Sequence, residues 1–224
     1  MIWKGLLIFL ATFFWINPAF AQRKLPANSY NWVGVQGGIT YSKISSDDLD
    51  FNYETGYTGG FSTRATAGDH ILFIYGINFF KAKTSMEVRE VNTLEPRKIN
   101  FNLSGAQINF FLGYRILGEH LSVELGPILQ LSGKLTPDEG SENYGLRDYD
   151  TDVEVLENIT KANMSLAAQI SGGFPKLKLW VQYQYGISNM FGDIDLQTIP
   201  EQESAAEDPR GTMRMATAGI VFYL

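Results

Sequence analysis

The sequence predicts an all-β protein, an eight-stranded antiparallel up-and-down transmembrane β-barrel that follows a cleaved signal peptide. Three observations support this fold class. Eight segments alternate apolar and polar side chains with a period of two. The connections between these segments are short at one end and long at the other, as in membrane barrels. The final segment runs to the last residue and carries Phe222 and Leu224 at alternate positions.

The N-terminus has the features of a secretory signal peptide. Lys4 supplies a positive charge, residues 5–16 form an apolar run, and Ala19 and Ala21 fit a signal-peptidase site. A membrane-spanning helix would need about 20 apolar residues, which is more than this run provides. We therefore expect residues 1–21 to be the signal peptide and residues 22–224 to form one outer-membrane β-barrel domain. The chain has no cysteine, which excludes a lipidated cysteine and any disulfide.

Each predicted strand follows from its own alternation. The strands are expected at residues 31–43, 55–67, 71–85, 98–116, 121–132, 161–172, 177–189 and 212–224. In the fourth strand the apolar positions change phase, from Ile99, Phe101 and Leu103 to Ile108, Phe110, Leu112 and Tyr114. We expect a β-bulge near Gly105 that resets the facing of the side chains. Each segment reaches the roughly 9–11 residues that a membrane-spanning strand needs.

The lengths of the connections predict the topology in the membrane. Short turns are expected at residues 68–70, 117–119 and 173–176, and long loops at 44–54, 86–97, 133–160 and 190–211. An even number of strands brings both termini to the short-turn side. In bacterial outer-membrane barrels that side is periplasmic and the long loops are extracellular. A closed barrel also pairs every backbone polar group within the hydrocarbon.

Several strands resemble those of a known family, the PorT-like outer-membrane β-barrel proteins. The similar runs are Ile99–Leu103 with Ile108–Arg115, Leu121–Pro127, and Val181–Asn189 with its Tyr-x-Tyr-Gly-x-x-Asn pattern. The resemblance implies a barrel without established catalytic residues, and one class of these proteins is linked to protein secretion. The last strand, through Thr217, Gly219, Phe222 and Leu224, resembles the signal that outer-membrane barrels present to the barrel-insertion machinery.

Four charged residues fall on the polar faces of the predicted strands and are expected in the lumen. They are Arg64, Arg115, Glu124 and Lys178. The interior of an eight-stranded barrel is only wide enough for side chains to fill it. Isolated buried charges are costly, so we expect these groups to pair with each other and not to line a proton or substrate path.

An acidic run in the third long loop is a weak metal candidate. Asp148, Asp150 and Asp152 alternate with other residues and would share one strand face. An EF-hand would require Gly and Glu where Val153 and Ile159 stand. Acidic runs of this kind usually lie in solvent, and we expect the long acidic loops to be solvated and dispensable for folding.

The remaining residues argue against enzymatic chemistry. His70 and His120 each lie beside a carboxylate in or next to a short turn, but no nucleophile accompanies them. We therefore predict a non-enzymatic barrel without a cofactor. A net charge of −6 argues against nucleic acid as a partner. The expected partners are outer-membrane lipid and lipopolysaccharide, the insertion machinery, and an envelope protein that contacts the acidic loops. The alternative is a secreted, soluble barrel of lipocalin type that binds a small apolar ligand.

Overall fold

The computed structural model describes residues 30–46, 49–90, 96–137, 144–145, 153–194 and 209–224. The predicted signal peptide and the three aspartates of the acidic run lie outside these residues. Among the residues described, no helix is long and apolar enough to cross a membrane.

Eight antiparallel strands form a closed ring, which confirms the predicted fold class. The strands are β1 (Asn31–Ser46), β2 (Phe51–Ala67), β3 (Ile71–Glu90), β4 (Pro96–Leu117), β5 (Leu121–Pro137), β7 (Ala162–Gly173), β8 (Leu177–Gly186) and β9 (Gly211–Tyr223). Each pairs with the next strand of the ring, and β9 closes the barrel by pairing with β1. A two-residue strand, β6 (Tyr144–Gly145), pairs antiparallel with the last two residues of β3.

The connections at the two ends differ, but less than the sequence suggests. At one end, tight turns at residues 68–70 and 118–120 carry Gly68 and Gly118 at positive φ, a conformation that favours glycine. At the other end, only residues 47–50 separate β1 from β2, and only residues 91–95 separate β3 from β4. The prediction of long loops over 44–54 and 86–97 is therefore wrong, because the strands continue through most of both segments.

The phase change in β4 has a different cause from the one expected. Pairing of β3 with β4 runs without a register shift from Arg89 opposite Pro96 to Ile71 opposite Tyr114. Side chains of β4 therefore alternate without interruption, and the predicted β-bulge near Gly105 in this strand is wrong. Phe101 points inward and is fully buried, whereas Phe110 points outward and is 55% exposed. Along the strand, the apolar residues move from the inward face to the outward face. The alternation of inward and outward side chains itself continues unchanged.

The register shift at this height lies in the neighbouring strand. Leu103 is opposite Leu135, but Gly105 is opposite Ser132, so β5 holds the extra residue. A second shift at a similar height separates Tyr53 from Tyr57 in β2. Bulges of this kind increase local twist and redirect side chains. Both occur where the outer surface of the barrel changes from apolar to polar.

The change of pattern divides the barrel into two parts. We call the part next to the short turns, where apolar residues face outward, the membrane half. Its outward apolar positions end at Tyr41, Tyr57, Phe79, Ile108, Leu131, Met164, Tyr185 and Ala216. The part beyond these positions is the projecting half, in which apolar residues face inward.

The projecting half has a hydrophobic core of its own. It includes Phe51, Phe80, Phe101 and Leu135 from the long strands. On the other side β7 and β8 are only 12 and 10 residues long, against 20 and 22 for β3 and β4. The space above these short strands is filled by a 3₁₀ helix, Val153–Asn158, and by the segment 187–194.

Parts of the long loops therefore belong to the folded core. Leu156 of the 3₁₀ helix and Phe191 of the following segment are fully buried. Asn189 holds the base of the last loop, because its side-chain oxygen accepts the N–H groups of Phe191 and Gly211 at 3.0 and 2.9 Å. The expectation that these loops are solvated is wrong for these segments, because their apolar side chains are buried in the core.

Candidate functional site

The centre of the membrane half contains a buried ion pair. Arg64 of β2 and Glu124 of β5 lie 3.5 Å apart, with side chains 1% and 0% exposed. Ser122 and Ser171 each donate a hydrogen bond to Glu124 Oε1 at 2.6 Å, and Gln169 donates to Oε2 at 3.3 Å. Arg64 also donates to Ser122 at 2.5 Å and to Ser171 at 3.3 Å. A buried charge needs both a counter-charge and hydrogen bonds, and this cluster supplies both. Its geometry is that of a structural ion pair in a narrow barrel interior.

The other two predicted lumenal charges lie nearer the short-turn end and contact a different residue. Arg115 forms an ion pair with Glu119 and donates to the carbonyl of Gly68 at 2.5 Å. Lys178 donates to the backbone carbonyl of Glu119. Tyr30, just before β1, donates its hydroxyl to the Glu119 carboxylate. Glu119 thus contacts three residues of this rim, a role that its place in a short turn did not indicate.

Desolvation governs the chemistry of Tyr30. Burial, followed by the hydrogen bond to Glu119, raises the pKa of Tyr30 to about 12. The hydroxyl therefore keeps its proton at neutral pH and remains a hydrogen-bond donor to the carboxylate. This bond ties the start of β1 to the turn between β4 and β5 and closes the rim.

An uncharged layer of amides lies above the ion pair. Gln107 donates to the side-chain oxygens of Gln130 and Gln184 at 2.9 and 3.1 Å. Gln184 donates to Ser165 at 3.1 Å, and Gln130 donates to Ser132 at 2.9 Å. The described interior is therefore filled at successive levels by the rim cluster, the ion pair, the amide layer and the apolar core. The inward glutamines are visible in the sequence, but their mutual contacts depend on closure of the ring.

The histidines take part in local contacts at the short turns. The ring of His70 stacks on Tyr114 with 5.3 Å between the centroids. His120 Nδ1 lies 3.0 Å from the carbonyl oxygen of Gly173. Within the described ranges, no group of three or more acidic or histidine side chains could hold a metal ion. The metal candidates Asp148, Asp150 and Asp152 lie outside those ranges.

The final strand presents its predicted signal residues to both sides of the barrel wall. Thr217 and Gly219 point inward, and Phe222 and Leu224 point outward with 52% and 73% exposure. A Cβ added to Gly219 would lie 2.5 Å from the ring of Trp180 and 2.6 Å from the carbonyl of Gly37. Gly219 therefore makes room for an indole inside the barrel, a packing reason for glycine at this position.

The outer surface of the membrane half is a continuous apolar belt. Leu112, Leu125 and Val181 are 55%, 55% and 61% exposed, and similar side chains occupy the outward positions of the neighbouring strands. An apolar surface of this extent on a monomer indicates contact with lipid or a partner. A lipocalin would instead hold its apolar side chains around an internal ligand, whereas here the interior at this level is polar and filled. The geometry favours the membrane barrel over the soluble alternative.

A comparison with protein families gives the same result. The model of a family described as "Outer membrane protein beta-barrel domain" matches residues 20–192. The chain belongs to this family. It is an integral β-barrel protein of the outer membrane of Gram-negative type. The predicted resemblance is confirmed at this level, that of the outer-membrane barrel domain.

Solved structures of small outer-membrane barrels are similar to this chain. Neisserial surface protein A is 13% identical, with a TM-score of 0.46, and the match covers 86% of this chain and 97% of that one. OprG from Pseudomonas aeruginosa is 12% identical, with a TM-score of 0.45 and coverage of 87% and 95%. The attachment invasion locus protein Ail of Yersinia pestis is 14% identical, with a TM-score of 0.39 and coverage of 86% and 99%. No curated protein sequence matches this chain.

Proposed function

We propose that this protein is a closed, non-enzymatic outer-membrane barrel that acts as a structural or accessory component and offers its loop end to another envelope protein. The observation that carries this proposal is the filled interior. Paired charges, hydrogen-bonded amides and an apolar core occupy successive levels of the described lumen. A filled eight-stranded barrel is not a diffusion pore. Because the lumen is closed, the surface that remains for a function is that of the projecting half.

The projecting half suits a contact role because it is folded around a hydrophobic core of its own. Its strands continue the barrel ladder beyond the apolar belt, and its core fixes the 3₁₀ helix and the segment 187–194 against them. The loops that leave this platform are acidic in sequence, and loops on a rigid scaffold commonly carry binding function. The resemblance to PorT-like proteins supports a link between this contact and protein secretion.

We assign the loop end to the cell surface and both termini to the periplasm. In outer-membrane barrels the short turns face the periplasm. In this orientation the C-terminal end of β9 lies on the periplasmic side. The barrel-insertion machinery could then recognise its alternating C-terminal residues from the periplasm.

The topology is tested with single cysteines, since the chain has none of its own. Thr136→Cys lies on the exposed outer face of the projecting half, and Lys176→Cys lies in an exposed short turn. A membrane-impermeant maleimide should label the first in intact cells and the second only after the outer membrane is permeabilised. The reverse labelling order would place the loop end in the periplasm and overturn the assignment.

The contact role is tested by site-specific photocrosslinking in cells. A photoreactive residue at position 83 or 136, both exposed in the projecting half, should give a discrete adduct with an envelope protein. The same residue at position 176 serves as the matched control and should give no such adduct. Removal of residues 195–204 should abolish the adduct while folded migration in unboiled SDS samples is retained. Adducts that form only at position 176 would contradict the proposed contact surface.

The closed interior predicts the result of a conductance measurement. Purified protein in planar lipid bilayers should show no stable open channel, because the amide layer and the ion pair occupy the lumen. A variant with Arg64 and Glu124 both changed to alanine should not conduct either, since the apolar core still fills the projecting half. Stable conductance of the unmodified protein would exclude a closed barrel.

A further inference from the structure

Two cations face each other on neighbouring strands just above the apolar belt. Lys43 of β1 is directly opposite Arg214 of β9. Both side chains point outward, because the residues before and after each of them in the chain are buried on the inward face. Tyr41 and Ala216 form the next outward pair below them and belong to the belt. The cations therefore lie at the boundary between the apolar belt and the polar surface.

The cations are held over aromatic rings. Lys43 Nζ lies 5.1 Å from the ring centroid of Tyr53, and the guanidinium carbon of Arg214 lies 5.4 Å from that of Tyr185. Tyr53 also stacks on Tyr41, with centroids 4.9 Å apart. Cation–π contacts orient these side chains but leave their full positive charge. The two charges remain close together on a fixed frame.

The two positive charges are not neutralised by the described part of the chain. Like charges directly opposite each other in a sheet are destabilising. The outer surface of the projecting half does contain ion pairs, but they use Lys98 with Glu54 and Lys134 with Glu157. Within the described ranges no carboxylate lies at ion-pair distance from Lys43 or Arg214, and the Nε of Arg214 is buried without a hydrogen-bond partner. The site therefore has positive charge that no described carboxylate balances.

We propose that Lys43 and Arg214 bind a phosphate group of lipopolysaccharide in the outer leaflet. This assignment rests on the cell-surface orientation proposed above for the loop end. Phosphate matches the two charges, and the guanidinium can donate two parallel hydrogen bonds to it. A phosphate in this position would also relieve the repulsion between the two cations.

The surface below the pair fits the lipid part of such a ligand. The outward residues of β9 directly below Arg214 are Ala216 and Ala218, opposite Tyr41 and Ile39 of β1. Small side chains beside larger apolar ones leave space for an acyl chain along the wall. A soluble protein partner would have to enter the headgroup region to reach these two cations, whereas a lipid phosphate already lies at this height. The position therefore favours lipid over protein.

The test measures lipid binding to the purified full barrel in mild detergent. The variant is Lys43→Gln with Arg214→Gln. The matched control is Lys98→Gln with Lys134→Gln, which removes the same charge from the same end but from cations that already have carboxylate partners. Native mass spectrometry with phosphorylated lipid A, dephosphorylated lipid A and phosphatidylglycerol gives relative affinities. Retained heat-modifiable migration shows that each variant is folded.

The unmodified protein should bind phosphorylated lipid A, and the variant should bind it about a hundredfold more weakly, because each of the two lost charge-assisted contacts accounts for roughly tenfold. The control variant should bind it as the unmodified protein does. Dephosphorylated lipid A should bind to the unmodified protein more weakly than phosphorylated lipid A does, a comparison that does not depend on folding of any variant.

Equal binding of phosphorylated lipid A by the variant and the control would overturn the proposal. Binding of phosphatidylglycerol as strong as that of lipid A would overturn lipopolysaccharide as the ligand. The binding assay in detergent does not depend on orientation, whereas cysteine labelling of intact cells does. Failure of this inference and failure of the proposed topology are therefore distinguishable.

Discussion

The membrane half and the projecting half share the same strands but have opposite hydrophobic patterns. In β4, Phe110 faces outward and is 55% exposed, and Phe101, nine positions earlier in the chain, faces inward and is fully buried. The backbone pairing with β3 is continuous between them. Membrane lipid surrounds one half and water surrounds the other, so the apolar side of the wall must change. One continuous β-ladder can therefore lie partly in lipid and partly in water, because only the pattern of its side chains has to change.

Charges follow the same division. In the membrane half, Arg64 and Glu124 are enclosed in the lumen with several hydrogen-bond partners. In the projecting half, Glu54 and Lys98 pair on the outer surface with side chains 28% and 57% exposed. Burial raises the cost of removing one partner, whereas exposed pairs contribute little. The two pairs thus offer a direct test of how the halves differ.

Loss of the buried carboxylate should have the largest effect. Glu124→Ala leaves the Arg64 guanidinium in the lumen without a counter-charge and should destabilise the barrel by about 3–5 kcal/mol. Glu54→Ala is the matched control and should cost about 0–1 kcal/mol. Urea unfolding of the reconstituted protein measures both. Similar losses for the two variants would mean that the lumen is far more hydrated than its geometry indicates.

Two phenylalanines of β4 compare the apolar cores directly. Phe101→Ala creates a cavity in the projecting core and should cost about 3–5 kcal/mol, with the loop-side end most affected. Phe110→Ala should cost much less, because lipid can fill the space that the ring leaves. Hydrogen exchange should show early opening near Leu103 and Leu135 in the first variant only. If Phe110→Ala proved the more damaging change, the assignment of inward and outward faces in β4 would be wrong.

A charge on the outer wall should be tolerated in one half only. Leu125→Arg places a cation within the apolar belt, at a cost of roughly 2–4 kcal/mol. Thr136→Arg, on the exposed outer face of the same strand beyond the bulge, should insert and fold normally. The fraction that migrates as folded barrel in unboiled SDS samples reports the difference. Equal yields of folded protein from the two variants would mean that β5 has no boundary between the membrane half and the projecting half.

The smallest expected effect is a pH dependence confined to the projecting half. Hydrogen bonds from Lys98 and Ser85 lower the pKa of Glu54. A lowered pKa in the folded state adds stability above the ordinary glutamate pKa, and this is lost as the pH falls through the folded value. Below that value, the amide protons of β2 near Glu54 should have slightly lower protection factors, and Lys98→Gln should reduce this change. An effect of the same size in Lys98→Gln would show that another group titrates.

The period-two pattern of the sequence predicted strand number, order and closure because each strand must present one face to lipid. It did not predict the strand ends. Beyond the belt the pattern continues with inward apolar residues such as Phe51 and Val88, and we interpreted these segments as loops. A period-two pattern shows which residues share a face, but not whether that face lies against lipid or in a core. The same ambiguity produced the incorrect bulge in β4.

The sequence by itself determined that this chain forms an eight-stranded membrane barrel, because alternation and turn chemistry are local properties of neighbouring residues. Only the tertiary structure decided which charges meet. Arg64 and Glu124 lie 60 positions apart, and Lys43 faces Arg214 only because β9 closes on β1. The lumenal contacts of Glu119 and the loop contacts of Asn189 likewise join distant segments. Ring closure sets these distances, and no local pattern in the chain encodes them.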